Sequence, residues 1–216
     1  MKKLYIFDFD GTIADTKSVV KQGLIDFSNE NNLSIPDVEA ICYGYANPDN
    51  YDFKWGVDKK TQKELMDKAF IQTSIRISNG IYIPELFPHT VEIMDYLFSQ
   101  GNDLAVCTSR EKGATIDILE RNHLSKYFKT YRTREDVTVR GKKAKPNPEL
   151  ILEIIDELGY EKQDCFMIGD TDGDIKGAEN ASIESIGVSW GYFTKQQLKD
   201  CGCKNIIDDF LELKDF

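Results

Sequence analysis

Asp8 and Asp10 stand two residues apart in Asp8-Phe9-Asp10-Gly11-Thr12, directly after the apolar run Leu4 to Phe7. At that spacing, two carboxylates leave an extended chain end on the same side, and Gly11 permits a sharp turn beyond them. An ionised Asp, with an ordinary pKa of about 4, can attack electrophilic phosphorus without a general base. Asp8 is therefore a candidate nucleophile able to form an aspartyl phosphate, although the same residues also build ordinary solvated turns.

Three further segments carry polar chemistry just after an apolar run or just before a helical pattern. Cys107-Thr108-Ser109-Arg110 offers hydroxyls and main-chain amides that can hold phosphoryl oxygens, or it simply caps a helix starting near Gly113. In Lys145-Pro146-Asn147-Pro148, Pro146 biases Lys145 toward an extended conformation and Asn147-Pro148 opens a helix. A cation held there is worth about 4 kcal/mol beside an anion at about 4 Å and an effective dielectric of about 20, before desolvation. A surface lysine preceding a helix has the same sequence.

Gly169-Asp170-Thr171-Asp172-Gly173-Asp174 places three carboxylates within five residues. Such a cluster repels itself unless a cation is present, and oxygen-only ligation suits Mg²⁺. An EF-hand calcium loop is ruled out, because its glycine position falls on Ile175 and its closing glutamate position on Ala181.

The elements that would position these segments alternate. Strand-like runs are expected at Leu4 to Phe7, Leu104 to Cys107, Cys165 to Ile168, Ile183 to Val188 and Lys204 to Ile207. Between them, Val91, Met94 and Leu97 follow a candidate cap at Thr90, and Gly101 stops that helix. A second helix opens at Asn147-Pro148 and buries Ile151, Ile154, Ile155 and Leu158 before Gly159. Alternation of this kind predicts an α/β fold, a Rossmann-like doubly wound parallel sheet that binds ligands at the carboxyl ends of its strands. Residues 15–87 break the pattern and read as helical. Val20, Leu24 and Phe27 share one face, and a capping box at Thr61 and Glu64 precedes Leu65, Met66, Ala69 and Phe70. The expected organisation is a core of 1–14 and 88–216 with a small inserted α-helical domain at 15–87.

Composition limits the partners. A hydrophobic share of 41% and a charged share of 30% fit a globular chain. The net charge of −10 argues against general nucleic-acid binding, which draws on phosphate neutralisation. No apolar run approaches the roughly 18 residues that span a bilayer, and the start lacks a signal-peptide pattern, so the expectation is a cytoplasmic protein with no membrane partner. Five scattered cysteines do not form a secreted disulfide framework. Cys107 and Cys165 read as core, and Cys201-Gly202-Cys203 as incidental.

Taken in order, the four segments resemble the haloacid dehalogenase superfamily over nearly the whole chain. Asp8 to Thr12 matches its first motif, Thr108 its second, Lys145 its third, and Gly169-Asp170 with Asp174 its fourth. The helical insertion is similar to the mobile cap of the phosphoglycolate phosphatase and β-phosphoglucomutase branches. Ile13-Ala14-Asp15-Thr16 and Val188-Ser189-Trp190-Gly191-Tyr192 look most like the phosphoglycolate-phosphatase group.

The resemblance implies a Mg²⁺-dependent phosphatase acting on a small phosphate ester. Asp8 would be the nucleophile and Asp10 the acid and base. Mg²⁺ would be held by Asp8, the main-chain carbonyl of Asp10 and Asp170, with Asp174 either a ligand or a group supporting the ligands, and phosphoryl oxygens by Gly11, Thr108, Ser109 and Lys145. Lys142 and Lys143 compete with Lys145 for its role, and Arg132, Arg134 and Arg140 form either a solvated face or a greeting patch for an anion. Tyr43, Tyr45, Lys54 and Trp55 are candidates for substrate contacts in the insertion, and the chain is expected to be a monomer or weak homodimer.

A β-phosphoglucomutase-type mutase shares every core motif and stays open, as does a non-catalytic phosphometabolite-binding module. True dehalogenases and phosphonoacetaldehyde hydrolases lack the equivalent of Asp10. A cysteine phosphatase would need arginine where Cys107 has Gly113, and only His89 and His123 exist for a histidine-based enzyme.

Overall fold

Four consecutive buried residues, Leu4–Phe7, form β1 at the centre of a six-stranded sheet in the computed structural model, which describes residues 2–35, 37 and 58–216. The other strands are β2 Asp103–Cys107, β3 Phe128–Arg132, β4 Cys165–Gly169, β5 Glu184–Val188 and β6 Asn205–Ile207. All pair in parallel in the order β3-β2-β1-β4-β5-β6. The described helices are α1 Thr16–Glu30, α2 Lys59–Ser78, α3 Thr90–Ser99, α4 Lys112–Arg121, α5 Arg134–Thr138, α6 Glu149–Leu158, α7 Asp172–Ala181 and α8 Lys195–Asp200.

Period-two alternation makes β1 the keystone of both layers. Tyr5 and Phe7 pack into one cluster with Ile93, Met94, Leu97 and Phe210, while Leu4 and Ile6 pack into another with Ile151, Ile154 and Ala178. Each large apolar side chain buried here contributes about 1.5–3 kcal/mol relative to exposure, so the position of β1 is strongly fixed. Its register aligns Phe7 with Val106 on one side and Ile168 on the other. Asp8, Thr108 and Asp170, which follow β1, β2 and β4, therefore emerge at one edge of the sheet. The chain passes from β1 to β2 on one side and to β4 on the other, and at such a reversal a ligand finds a crevice.

The expected strands appear within a residue of their bounds, but β3 was not foreseen. Its sequence, Phe-Lys-Thr-Tyr-Arg, mixes charge with apolar residues because it lies at the sheet edge and is only partly covered. Two helix starts also differ. Thr90 is the first residue of α3, behind His89 in the left-handed region, and Val91 faces solvent at 46% exposure while Ile93 joins the buried face. In α2 the cap is Asp58, whose carboxylate accepts from the amides of Lys60 and Thr61, so Thr61 sits inside the helix and does not begin a box with Glu64. A third start is also shifted: in α6 Pro148 occupies the cap position and Glu149 is the first helical residue, although the Asn147 side chain still accepts from the Glu149 amide, and Gly159 ends the helix at φ 71 as its sequence anticipates. Leu150 is buried there and Leu158 only partly.

Residues 1–14 and 86–216 form one unit and residues 15–85 another. Within the second, Val20, Leu24 and Phe27 of α1 and Met66 and Ala69 of α2 are buried. The two helices approach closely at Gly23, where a Cβ would lie 2.0 Å from Thr73 Oγ1. Arg76 of α2 pairs with Asp26 and Glu30 of α1. Cys42, Tyr43, Tyr45, Lys54 and Trp55 lie outside the described residues. Among the described residues, no helix is long and apolar enough to cross a membrane.

Candidate active site

Lys145 is the hub of the sheet's carboxyl edge. Its Nζ donates to Asp8 Oδ1 at 2.7 Å, to Asp174 Oδ1 at 2.6 Å and to the Cys107 carbonyl at 2.6 Å, with only 7% of the side chain exposed. Two strand ends, those of β1 and β2, and the first turn of α7 are thereby joined by one ammonium. Burial disfavours its charge, but the carboxylates of Asp174 and Asp8 outweigh that effect and hold the amine above its ordinary range. Lys142 does not compete. Its Nζ pairs with Glu149 and Glu153, and the Lys143 main-chain amide donates to Glu149.

Asp8, Asp170 and Asp174 are all buried, and one carboxylate oxygen from each lies within 4.8 Å of the others. Burial pushes Asp8 up to about 7, Lys145 pulls it down, and the charges of Asp174 and Asp10 add to the rise. Asp170 is also raised, first by burial and then by the charges of Asp8 and Asp174. Three buried carboxylates against one lysine leave an uncompensated negative charge. An oxygen donor set of this kind fits a hard divalent cation such as Mg²⁺, which would balance it.

Each carboxylate is oriented by its own fold element. Asp174 lies in the first turn of α7, where Oδ2 accepts from the amide and hydroxyl of Thr171, the cap residue, leaving Oδ1 for Lys145. Asp170 follows β4 and accepts from the Thr12 hydroxyl at 3.1 Å and the Tyr192 amide at 2.7 Å. Two glycines make room for it: a Cβ on Gly11, which has φ 78, or on Gly191 would lie 2.3 Å from Asp170 Oδ2. The Gly11 amide itself donates to the Ala14 carbonyl. Trp190 steadies the same corner by donating its indole N–H to the Thr12 carbonyl.

Asp10 stands apart from the three-carboxylate cluster. Its Oδ1 accepts from Arg110 Nη1 at 2.9 Å, and the side chain is 27% exposed. Thr108 is buried. Its amide donates to the Arg132 carbonyl and its hydroxyl oxygen accepts from the Arg110 amide, which leaves the hydroxyl proton free to donate elsewhere. Ser109 is exposed, with its carbonyl accepting from Arg134 Nε.

The basic stretch is a scaffold at this corner. Arg132 pairs with Glu153 and Glu157, and Arg140 with Asp136 and Glu153, tying β3 and the loop before Lys145 to α6. The Cys107 and Cys165 thiols are buried and pushed up to about 12 by that burial, so they are inert core groups.

Several partners of these groups escaped sequence reasoning. They are Thr171, the cap that aims Asp174, and three that require contacts between distant segments: Thr12 and the Tyr192 amide as holders of Asp170, and Arg110 as the partner of Asp10. Only Thr171 carried a local signal, the capping-box spacing Thr-x-x-Asp.

The family model described as "Haloacid dehalogenase-like hydrolase" matches residues 5–188. A phosphoglycolate phosphatase from Agrobacterium fabrum is 34% identical over 230 residues, covering 99% of this chain and 91% of that protein. A pyrophosphatase PpaX from Oceanobacillus iheyensis is 26% identical, covering 96% and 93%. Among solved structures, a haloacid dehalogenase-like hydrolase from Streptococcus pneumoniae superposes with a TM-score of 0.77 at 19% identity, covering 99% and 97%, which speaks to the fold. With a matching family model over most of its length and a relative this similar from end to end, the chain belongs to the haloacid dehalogenase-like hydrolase family.

Proposed function

We propose that the chain is a Mg²⁺-dependent phosphatase that hydrolyses a small phosphoric monoester, of the phosphoglycolate type, through an aspartyl phosphate on Asp8. The observation that carries this reading is the joint placement of Asp8, Lys145, Asp170 and Asp174 at the sheet edge, with Asp8 Oδ2 making no hydrogen bond among the described residues. The A. fabrum and O. iheyensis relatives, named for cleaving phosphoglycolate and pyrophosphate, support a phosphoryl-transfer role.

In the first step an Asp8 oxygen attacks phosphorus. The bond from phosphorus to the ester oxygen breaks, its electron pair stays on that oxygen, and Asp10 supplies the proton that makes it an alcohol. In the second step a water gives its proton to Asp10 and attacks the same phosphorus, releasing inorganic phosphate and restoring the Asp8 carboxylate. Lys145 and the Thr108 hydroxyl hold phosphoryl oxygens in both steps and offset their charge. Asp8, the Asp10 carbonyl, Asp170 and Asp174 would hold Mg²⁺, which supplies charge neutralisation at the phosphoryl group when bound.

The test is hydrolysis of p-nitrophenyl phosphate with Mg²⁺ and after chelation with EDTA. Turnover that appears with Mg²⁺ and disappears with EDTA supports the reading. Negligible rates in both overturn it in favour of a binding module.

A further inference from the structure

Arg110 is held where its backbone cannot drift. Its amide donates to the Thr108 hydroxyl oxygen at 3.1 Å, and its carbonyl accepts from the Arg134 amide at 2.9 Å. The side chain, 13% exposed, reaches past the Phe9 ring, with the guanidinium carbon 5.9 Å from the ring centre, to Asp10 Oδ1. A guanidinium carries five N–H donors in a rigid fork. Among the described residues this one uses a single Nη1 bond, and its Nε is buried without a partner. A permanently charged, under-used fork is thus fixed beside the carboxylate that has to face the leaving oxygen.

A buried N–H without an acceptor is costly, and a second anion arriving at the fork would relieve that cost. The same arrival bears on Asp10. Arg110 now holds one of its two carboxylate oxygens, and a guanidinium drawn to another acceptor releases that oxygen. We propose that Arg110 receives a second negative group, a carboxylate or phosphoryl group, on the leaving-group side of the substrate, and that in doing so it loosens its hold on the Asp10 carboxylate. This rests on the phosphatase reading above and narrows its substrate class to phosphate esters and anhydrides whose leaving group is itself an anion. A neutral leaving group would leave Arg110 on Asp10 and react less efficiently.

The inference is tested by kcat/KM on three substrates with purified protein and Mg²⁺: 2-phosphoglycolate, its uncharged-leaving-group counterpart ethyl phosphate, and pyrophosphate. Each is measured with the wild type and with Arg110→Gln. The readout is the ratio of charged to uncharged substrate, in which any misfolded fraction cancels. A charged hydrogen bond of the usual strength predicts that the ratio falls about 10- to 100-fold in the variant for whichever anion the site takes. The carboxylate and pyrophosphate arms then tell the two anions apart. If Arg110→Gln shows no turnover, Arg110→Lys is read in the same way. It keeps the charge but not the fork, and a smaller fall in the ratio is expected. An unchanged ratio for both anions overturns this inference alone, whereas no hydrolysis of any ester by the wild type overturns the phosphatase reading and this inference together.

Discussion

At the scale of single residues, the site is a problem in charge placement. One ammonium, Lys145, holds the carboxylates of Asp8 and Asp174, which would otherwise repel each other. Lys145→Ala removes a donor aimed at the reacting group, and kcat on p-nitrophenyl phosphate should fall about 10²–10³-fold. A loss below about threefold would show that Lys145 is structural only. Gly191 tests the metal side. A methyl there would meet Asp170 Oδ2 at 2.3 Å, so Gly191→Ala must push that carboxylate away. The Mg²⁺ concentration for half-maximal activity should rise about 10- to 100-fold, as for other disturbances of the groups around a metal ligand; an unchanged Mg²⁺ titration would remove Asp170 from the ligand set. Residues of this kind divide sharply in how far the sequence exposes them. Asp8, Lys145, Asp170 and Asp174 sit in locally recognisable turns, whereas the bond between Arg110 and Asp10 joins positions 100 residues apart and has no local trace.

At the scale of elements, the strands deliver the chemistry because their register is set by side chains that never meet a substrate. β1, β2 and β4 were legible as continuous apolar runs, since strands covered on both faces admit few polar residues. β3 was not, because an edge strand with Lys129 and Arg132 keeps the polar composition of a loop. Helix starts were less legible than helix interiors, as Thr61 shows: it fits a capping box by spacing, yet Asp58 three residues earlier supplies the better acceptor. In the second unit the decisive contact is Gly23 against Thr73, and no periodicity announces it. Gly23→Val places carbon where Thr73 Oγ1 lies, 2.0 Å from the position of a Cβ, and should destabilise the α1 and α2 pair by about 1–3 kcal/mol. Hydrogen exchange would then quicken in α1 and α2 while the sheet stays protected. Unchanged protection in both helices would contradict the close packing.

At the scale of the whole molecule, stability and metal binding are linked through pH. Asp8 has a folded pKa of about 7 against an ordinary 3.8, so its protonated form favours the folded state. Its contribution is fully present below 3.8 and is lost as pH rises through about 7. Glu153 runs the other way. Bonds from Lys142 and Arg132 lower it to about 2 despite some opposing burial, so its contribution is present above 4.5 and is lost as pH falls through about 2. The melting temperature of the EDTA-stripped protein should therefore decline from pH 4.5 to 7.5, and Mg²⁺ should flatten that decline, because a bound cation favours ionised Asp8. A metal-free melting temperature that rises over this range would contradict the assignment. The most direct test of the central claim is rapid quenching during turnover of a ³²P-labelled ester, followed by peptide mapping. The account predicts label on the peptide carrying Asp8, removable by hydroxylamine and absent from Asp8→Asn. Label on any other residue, or unimpaired turnover by Asp8→Asn, would contradict it.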